Sequence, residues 1–251
     1  MRYLDGIKQA PPSASLHVGK RAHEVLSTNN QHKIKTGKDL MIKPFIGALE
    51  QIWNNEIDDV DWKSDRETKG AAKDSTINML REYHKERAPK IKATATERGF
   101  ILNIPFLTER PIIGYIDYEE QMSIADYKTT GSSPNGQMSA QEHVFNSTQL
   151  TLYALAKLII DKKLPKHVRL DYLVRTQQPK MIPLQGTKTI EDLMRYAYII
   201  ARVSESIKSG DFWPNTEAKM HTPKMCGFWA LCHQRCQLEL TGVKLPKGGK
   251  A

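Results

Sequence analysis

The 251-residue chain predicts a mixed α/β fold, with a short mixed central sheet flanked by helices. Three observations carry this reading. Ile112-Ile113-Gly114-Tyr115-Ile116-Asp117 and Ile124-Ala125-Asp126-Tyr127-Lys128 have the β-branched and aromatic content of strands, and a polar stretch between them suits a hairpin. Val144, Thr148, Leu152, Leu155 and Ile159 then recur at helical spacing. Further helical and strand patterns lie before and after this segment, so the two kinds of element are interleaved along the chain.

Taken in order, residues 1–17, with Pro11 and Pro12, are expected to be irregular. Val18 to Leu26 reads as a short helix carrying His23 and Glu24, and the polar residues Ser27 to Lys38 as a loop. Helices follow at Ile42 to Asn54 and at about Lys73 to Glu86, joined by an exposed acid-rich connection. Ala95 to Phe106 suggests a first strand, and Tyr118 to Ser123 the turn between the next two. Gly131 to Gly136 is a loop beside Lys128, read either as a substrate gate or as a plain connection. Ala140 to Asp161 reads as one helix, His167 to Thr176 and Met181 to Leu184 as a strand pair, and Thr189 to Ser209 as a long helix. One domain over residues 1–251 is expected, ending in a cysteine-containing segment at residues 215–251.

Hydrophobic residues at 39% and charged residues at 26% are ordinary for a globular chain, which argues against global disorder. Lysine and arginine number 37 against 28 acids, giving a formal charge of +9 and a pI near 9.3. That balance favours a polyanionic partner, nucleic acid ahead of an anionic membrane. No apolar run long enough to span a bilayer and no apolar secretory core are present, so a cytoplasmic protein without a membrane partner is expected. The three cysteines cluster near the end and do not form a secreted disulfide framework; they read as ligands or reduced thiols. The chain has no phosphate-cradling glycine loop, which argues against an energy-coupled motor.

The chemistry is concentrated between Gly114 and Lys128. Alternate residues of a strand share a face, so Ile124, Asp126 and Lys128 point one way while Ala125 and Tyr127 point the other. A hairpin brings Asp117 to Asp126. Hard cations such as Mg²⁺ and Mn²⁺ prefer carboxylate oxygens, and a lysine beside them can orient a water or neutralise charge building on a phosphate. The blander alternative is a D-x-K ion pair on an exposed strand, with little effect on stability.

These residues sit within a wider pattern that resembles the PD-(D/E)XK nuclease superfamily, in particular its RecB-like exonuclease branch with CRISPR-associated and phage-encoded relatives. The family's G-x-x-x-H appears as Gly19-Lys20-Arg21-Ala22-His23, its G-x-I-D as Gly114 to Asp117, and its D/E-x-K-T as Asp126-Tyr127-Lys128-Thr129. Its Q-x-x-x-Y appears as Gln149 to Tyr153, and a late G-x-F-x-P as Gly210-Asp211-Phe212-Trp213-Pro214. The resemblance spans roughly residues 11–236 and implies a restriction-endonuclease-like core. It implies that His23, Asp117, Asp126 and the Tyr127 carbonyl hold Mg²⁺ or Mn²⁺. Lys128 would position the water, and Gln149 and Tyr153, one helical turn apart, would hold Lys128 or a DNA phosphate. A histidine ligand favours Mn²⁺ over Mg²⁺. Glu97 is left evenly divided between a supporting group and a plain surface acid.

Cys226, Cys232 and Cys236 resemble the C-terminal part of an iron–sulfur staple that in relatives also uses an early cysteine, which this chain lacks. Met1 to Gly6 resembles the region after that early element, so an upstream start or loss of the element would account for the difference. A cluster completed by His221, His233 or another group, a Cys₃His zinc site, or reduced packed thiols are the alternatives. The implied activity is metal-dependent exonuclease action on DNA, single-stranded or with free ends, in recombination, repair or phage DNA processing. A structure-specific endonuclease on the same fold and a silent DNA-binding subunit are the rivals. Lys20, Arg21, Lys92, Arg98 and the Arg175 region are candidate strand-tracking cations.

Overall fold

The computed structural model describes residues 11–54, 60–62 and 65–210, together with Cys226 and Trp229. Ser13 opens α1 (Ala14–Thr36) by accepting the Leu16 N–H, and Gly37 closes it in the left-handed conformation with its N–H on the Lys33 carbonyl. The helix therefore begins inside the segment expected to be irregular and runs through most of the expected loop Ser27 to Lys38. Its second half buries the polar Asn29 and Asn30 and leaves Gln31 and Ile34 to Thr36 exposed, which is why it lacks an apolar period. Asn29 donates to Asp39 Oδ1 at 2.7 Å and accepts the Leu40 N–H at 2.9 Å, while Asn30 donates to the Tyr127 hydroxyl at 3.1 Å. Tertiary hydrogen bonds thus replace apolar contacts in holding the helix.

Helices α2 (Ile42–Asn54) and α3 (Lys69–Glu86) follow, the second opened by the Thr68 side chain four residues earlier than its apolar pattern suggests. The sheet has the order β1-β2-β3-β4-β5, from Ala95–Leu102, Ile112–Glu120, Ser123–Thr130, His167–Val174 and Lys180–Gly186. Only the β3–β4 pair is parallel. Strand β1 stops at Leu102, short of Phe106. Tyr118 to Glu120 belong to β2, so the turn expected over Tyr118 to Ser123 shrinks to Gln121 and Met122. The crossover between β3 and β4 is broken into α4 (Ala140–Phe145) and α5 (Thr148–Asp161), because Ser139 and Ser147 each cap a new helix start. Helix α6 (Ile190–Ser209) follows β5 behind a Thr189 capping box.

One face of the sheet packs on α1, α2 and α3 around Phe45, Trp53, Tyr83 and Tyr127, and the other on α5 around Ile124, Leu150, Ala154 and Leu170. Trp53 and Tyr83 are completely enclosed, and truncating such an aromatic to alanine costs about 3–5 kcal/mol. Where β1 meets β2 the alternation breaks. Thr96 faces Ser27 on α1, yet Arg98, two residues on, reaches Asp161 on α5; likewise Tyr118 joins the α1 side and Ile116 the α5 side. The break falls at Glu97, whose φ of 48° is left-handed, opposite Asp117. Backbone in this region strains a residue with a side chain and is tolerated where the surroundings enforce it.

Candidate active site

Four elements converge at this break. Helix α1 supplies His23, β1 and β2 supply Glu97 and Asp117, and β3 supplies Asp126 and Lys128. Gly19 sets the approach of the helix: a Cβ there would meet the Thr129 hydroxyl at 2.9 Å, so only glycine lets α1 lie this close to β3. His23 follows one turn later on the same side of the helix. Its Nδ1 lies 3.3 Å from Asp117 Oδ2, and Asp117 Oδ2 also accepts the Tyr127 N–H at 2.7 Å. The β2–β3 ladder is recorded from Tyr118–Ala125 to Glu120–Ser123, and the Asp117 carboxylate takes the place of a backbone acceptor just past it.

Ligand atoms of His23, Glu97 and Asp117 lie within 4.8 Å of one another. Asp126 stands outside that trio. It is fully buried, with Oδ2 paired to Lys128 Nζ at 2.6 Å and Oδ1 without a hydrogen-bond partner among the described residues. Lys128 Nζ donates to Gln149 Oε1 at 2.7 Å, and Gln149 Nε2 donates to the Tyr153 hydroxyl at 2.6 Å. The Gln149–Tyr153 pair expected on one helical face therefore holds the lysine end of the site. Tyr127, between the two, projects to the opposite face, where its hydroxyl lies 2.9 Å from that of Tyr83 and its ring stacks on Tyr118 at 4.8 Å. These contacts pin the backbone that carries Asp126 and Lys128.

The acids are held away from their ordinary ionisation. Burial pushes Asp117 up to about 7, against the Tyr127 N–H and the Lys128 charge, which act to lower it. Burial and the neighbouring Asp117 charge push Asp126 up to about 6, with Lys128 opposing. Burial also raises Glu97 and lowers His23. Such a group of under-compensated acids beside a neutral imidazole suits a divalent cation, which would satisfy the unpartnered Oδ1 of Asp126 and favour the ionised acids. Glu97 is the member that sequence left undecided. Its place opposite Asp117 follows from strand register, and its left-handed backbone from packing, neither of which a single strand pattern carries.

Three candidate strand-tracking cations are committed elsewhere. Arg21 pairs with Glu24, Arg98 with Glu119 and Asp161, and Arg175 with Glu67 and Ser75. Lys20 and Lys92 are exposed. Cys226 is partly exposed and free of any disulfide. Cys232, Cys236, His221, His233 and residues 211–214 of the late motif lie outside the described residues. Among the described residues, no helix is long and apolar enough to cross a membrane.

A mixed sheet presenting two buried carboxylates and a lysine from adjoining strands, with a histidine from the first helix, has the architecture of a nuclease core. The chain belongs to the PD-(D/E)XK nuclease superfamily, whose family model matches residues 1–233. A crystal structure from Eubacterium rectale, described as "Putative exonuclease", is similar over 100% of this chain and 82% of that chain, with 10% identity and a TM-score of 0.56. The protein SSO0001 is similar over 92% of this chain and 90% of its own, with 13% identity and a TM-score of 0.40. At such identities the likeness to the first is one of fold. No curated protein sequence matches the chain significantly.

Proposed function

We propose that this single-domain protein is a Mg²⁺- or Mn²⁺-dependent deoxyribonuclease of the RecB-like branch that releases nucleotides from DNA ends, single-stranded ends first. The observation that carries the reading is the buried, under-compensated Asp117–Asp126 pair with Lys128 held beside it. His23, Asp117, Asp126 and the Tyr127 carbonyl would hold the cation, with Glu97 added to that set by its proximity to His23 and Asp117. When bound, the cation supplies charge neutralisation at the phosphate and lowers the pKa of water.

The protein's own part is positional and electrostatic. Lys128, fixed between Asp126 and Gln149, presents its remaining N–H to a water or to a phosphate oxygen on which charge develops. Gln149 spends its carbonyl on the lysine and its amide on Tyr153, so the ammonium is restrained before substrate arrives. His23, kept neutral by burial, offers a ring nitrogen lone pair rather than a positive charge. Exonuclease action draws further support from the described function of the Eubacterium rectale protein of the same fold.

The test uses end-labelled linear and covalently closed circular single-stranded DNA with Mn²⁺, Mg²⁺ or EDTA. Mononucleotide or short-oligonucleotide release from the linear form alone, abolished by EDTA, is the expected result. Nicking of the circle would make the endonuclease the better reading, and binding without cleavage under every metal the silent subunit.

A further inference from the structure

Beyond the acids and the lysine, β4 places one more polar side chain beside the site. In the parallel β3–β4 pair Lys128 is matched with Tyr172, and Asp126 with Leu170. Paired residues of neighbouring strands lie about 5 Å apart and project to the same face. Leu170 and Tyr172 accordingly pack against the α5-side core, the face on which Lys128 meets Gln149. Tyr172 is only partly buried there.

Its hydroxyl differs from those of the more deeply buried tyrosines around the sheet. Tyr83, Tyr118, Tyr127 and Tyr153 each have the phenol oxygen in a hydrogen bond. Among the described residues Tyr172 has none, and its oxygen is not among the buried unpartnered atoms, so the phenol is open to solvent or to a ligand. Its ring is nevertheless fixed: His143 of α4 packs edge-on at 6.3 Å, and His143 Nε2 is tied to the Asn135 carbonyl at 2.9 Å. Burial raises the Tyr172 pKa, with Lys128 and Asp126 the charges that act on it, so the hydroxyl keeps its proton at neutral pH.

We propose that Tyr172 is a substrate-binding residue whose phenol O–H donates to a non-bridging oxygen of the DNA phosphate faced by Lys128. The lysine supplies charge and the tyrosine direction, so the phosphate is held from β3 and β4 together. This inference rests on the nuclease reading and adds a contact to it. Because the phenol binds the phosphate before and during reaction, its loss weakens substrate binding more than it slows turnover.

The experiment compares the intact protein with Tyr172→Phe and Lys128→Ala in steady-state cleavage of a labelled single-stranded oligonucleotide with Mn²⁺. Anisotropy binding of the same oligonucleotide is measured alongside, in an Asp126→Asn background. Phenylalanine keeps the ring packing, and an unchanged melting temperature verifies it. The expected result is a KM and a dissociation constant raised about 10-fold by Tyr172→Phe, with kcat within about 2-fold, as for loss of one hydrogen bond to a charged group. Cleavage that Lys128→Ala abolishes but Tyr172→Phe leaves unchanged in KM and binding overturns the tyrosine assignment and leaves the nuclease standing. A fall in kcat alone does the same. Absence of metal-dependent cleavage by the intact protein overturns both.

Discussion

The two faces of the β3–β4 pair carry two buried charge clusters that differ in how far their charges are compensated. On the α3 side Asp171 accepts from Arg87 through both carboxylate oxygens at 3.0–3.1 Å and from the Tyr118 hydroxyl, with Arg169 Nε 3.1 Å from Oδ1. Arg169 in turn reaches Glu120 at 2.9 Å. That cluster is closed: cations and hydroxyls match its acids. On the other side Asp126 is as deeply buried but pairs only through Oδ2, with Lys128 at 2.6 Å; its Oδ1 takes no hydrogen bond among the described residues, and the Asp117 charge raises its pKa. Burial alone therefore does not mark a functional acid. The mark is burial only partly compensated by the protein itself, which is costly unless something else is bound.

The largest separation of the two clusters is expected in catalysis. Lys128→Ala and Asp126→Ala should reduce metal-dependent nucleotide release by at least about 100-fold while the protein remains folded, measured by single-turnover cleavage and circular dichroism. Arg87→Ala should instead destabilise the fold by about 3 kcal/mol in urea denaturation, because the buried Asp171 then keeps only Arg169 and the Tyr118 hydroxyl as partners. Loss of activity in that variant should track the folded fraction.

A pH dependence of stability is expected from the open cluster. Asp117 rises from an ordinary 3.8 to about 7 in the folded protein, so between those values the folded state binds more protons than the unfolded one. The metal-free protein should then lose stability on the order of a few kcal/mol from this acid pair as pH climbs from about 4 to 7. Asp117→Asn should flatten that slope in denaturation curves taken without metal. A slope unchanged by the substitution would place the pH dependence elsewhere.

Smaller effects are expected from the groups that hold the lysine and the helix. Gln149→Ala should lower kcat by about 10- to 100-fold, in the range of other groups that orient a reactive side chain, with Tyr153→Phe at the lower end. Gly19→Ala pushes a methyl group against Thr129 and should weaken Mn²⁺ binding a few-fold, read by calorimetry, through displacement of His23.

The same contrast explains what was legible in the sequence. Asp117, Asp126 and Lys128 lie within twelve residues on two well-patterned strands, so local spacing reveals them, whereas Gly19, Gln149 and Tyr153 were legible through the motifs of the resemblance. Glycine 114 belongs with these: a Cβ there would meet the Phe100 ring at 2.4 Å. The second half of α1 was not legible, because Asn29 and Asn30 are buried by partners distant in sequence and leave no apolar period. The break between α4 and α5 was hidden because Val144 to Ile159 keep helical spacing across it. The closed cluster was equally invisible, since Arg87 at the end of α3, Tyr118 on β2, and Arg169 and Asp171 on β4 meet only through sheet order.

The comparison is tested most directly by the Mn²⁺-induced change in melting temperature of the intact protein and of Asp126→Asn. The account expects the metal-free Asn variant to melt above the metal-free intact protein, because a buried, repelled carboxylate has been neutralised. Saturating Mn²⁺ should raise the intact protein by several degrees and the variant by far less. A variant that melts below the intact protein without metal, and rises equally with Mn²⁺, would contradict an open cluster that binds the cation.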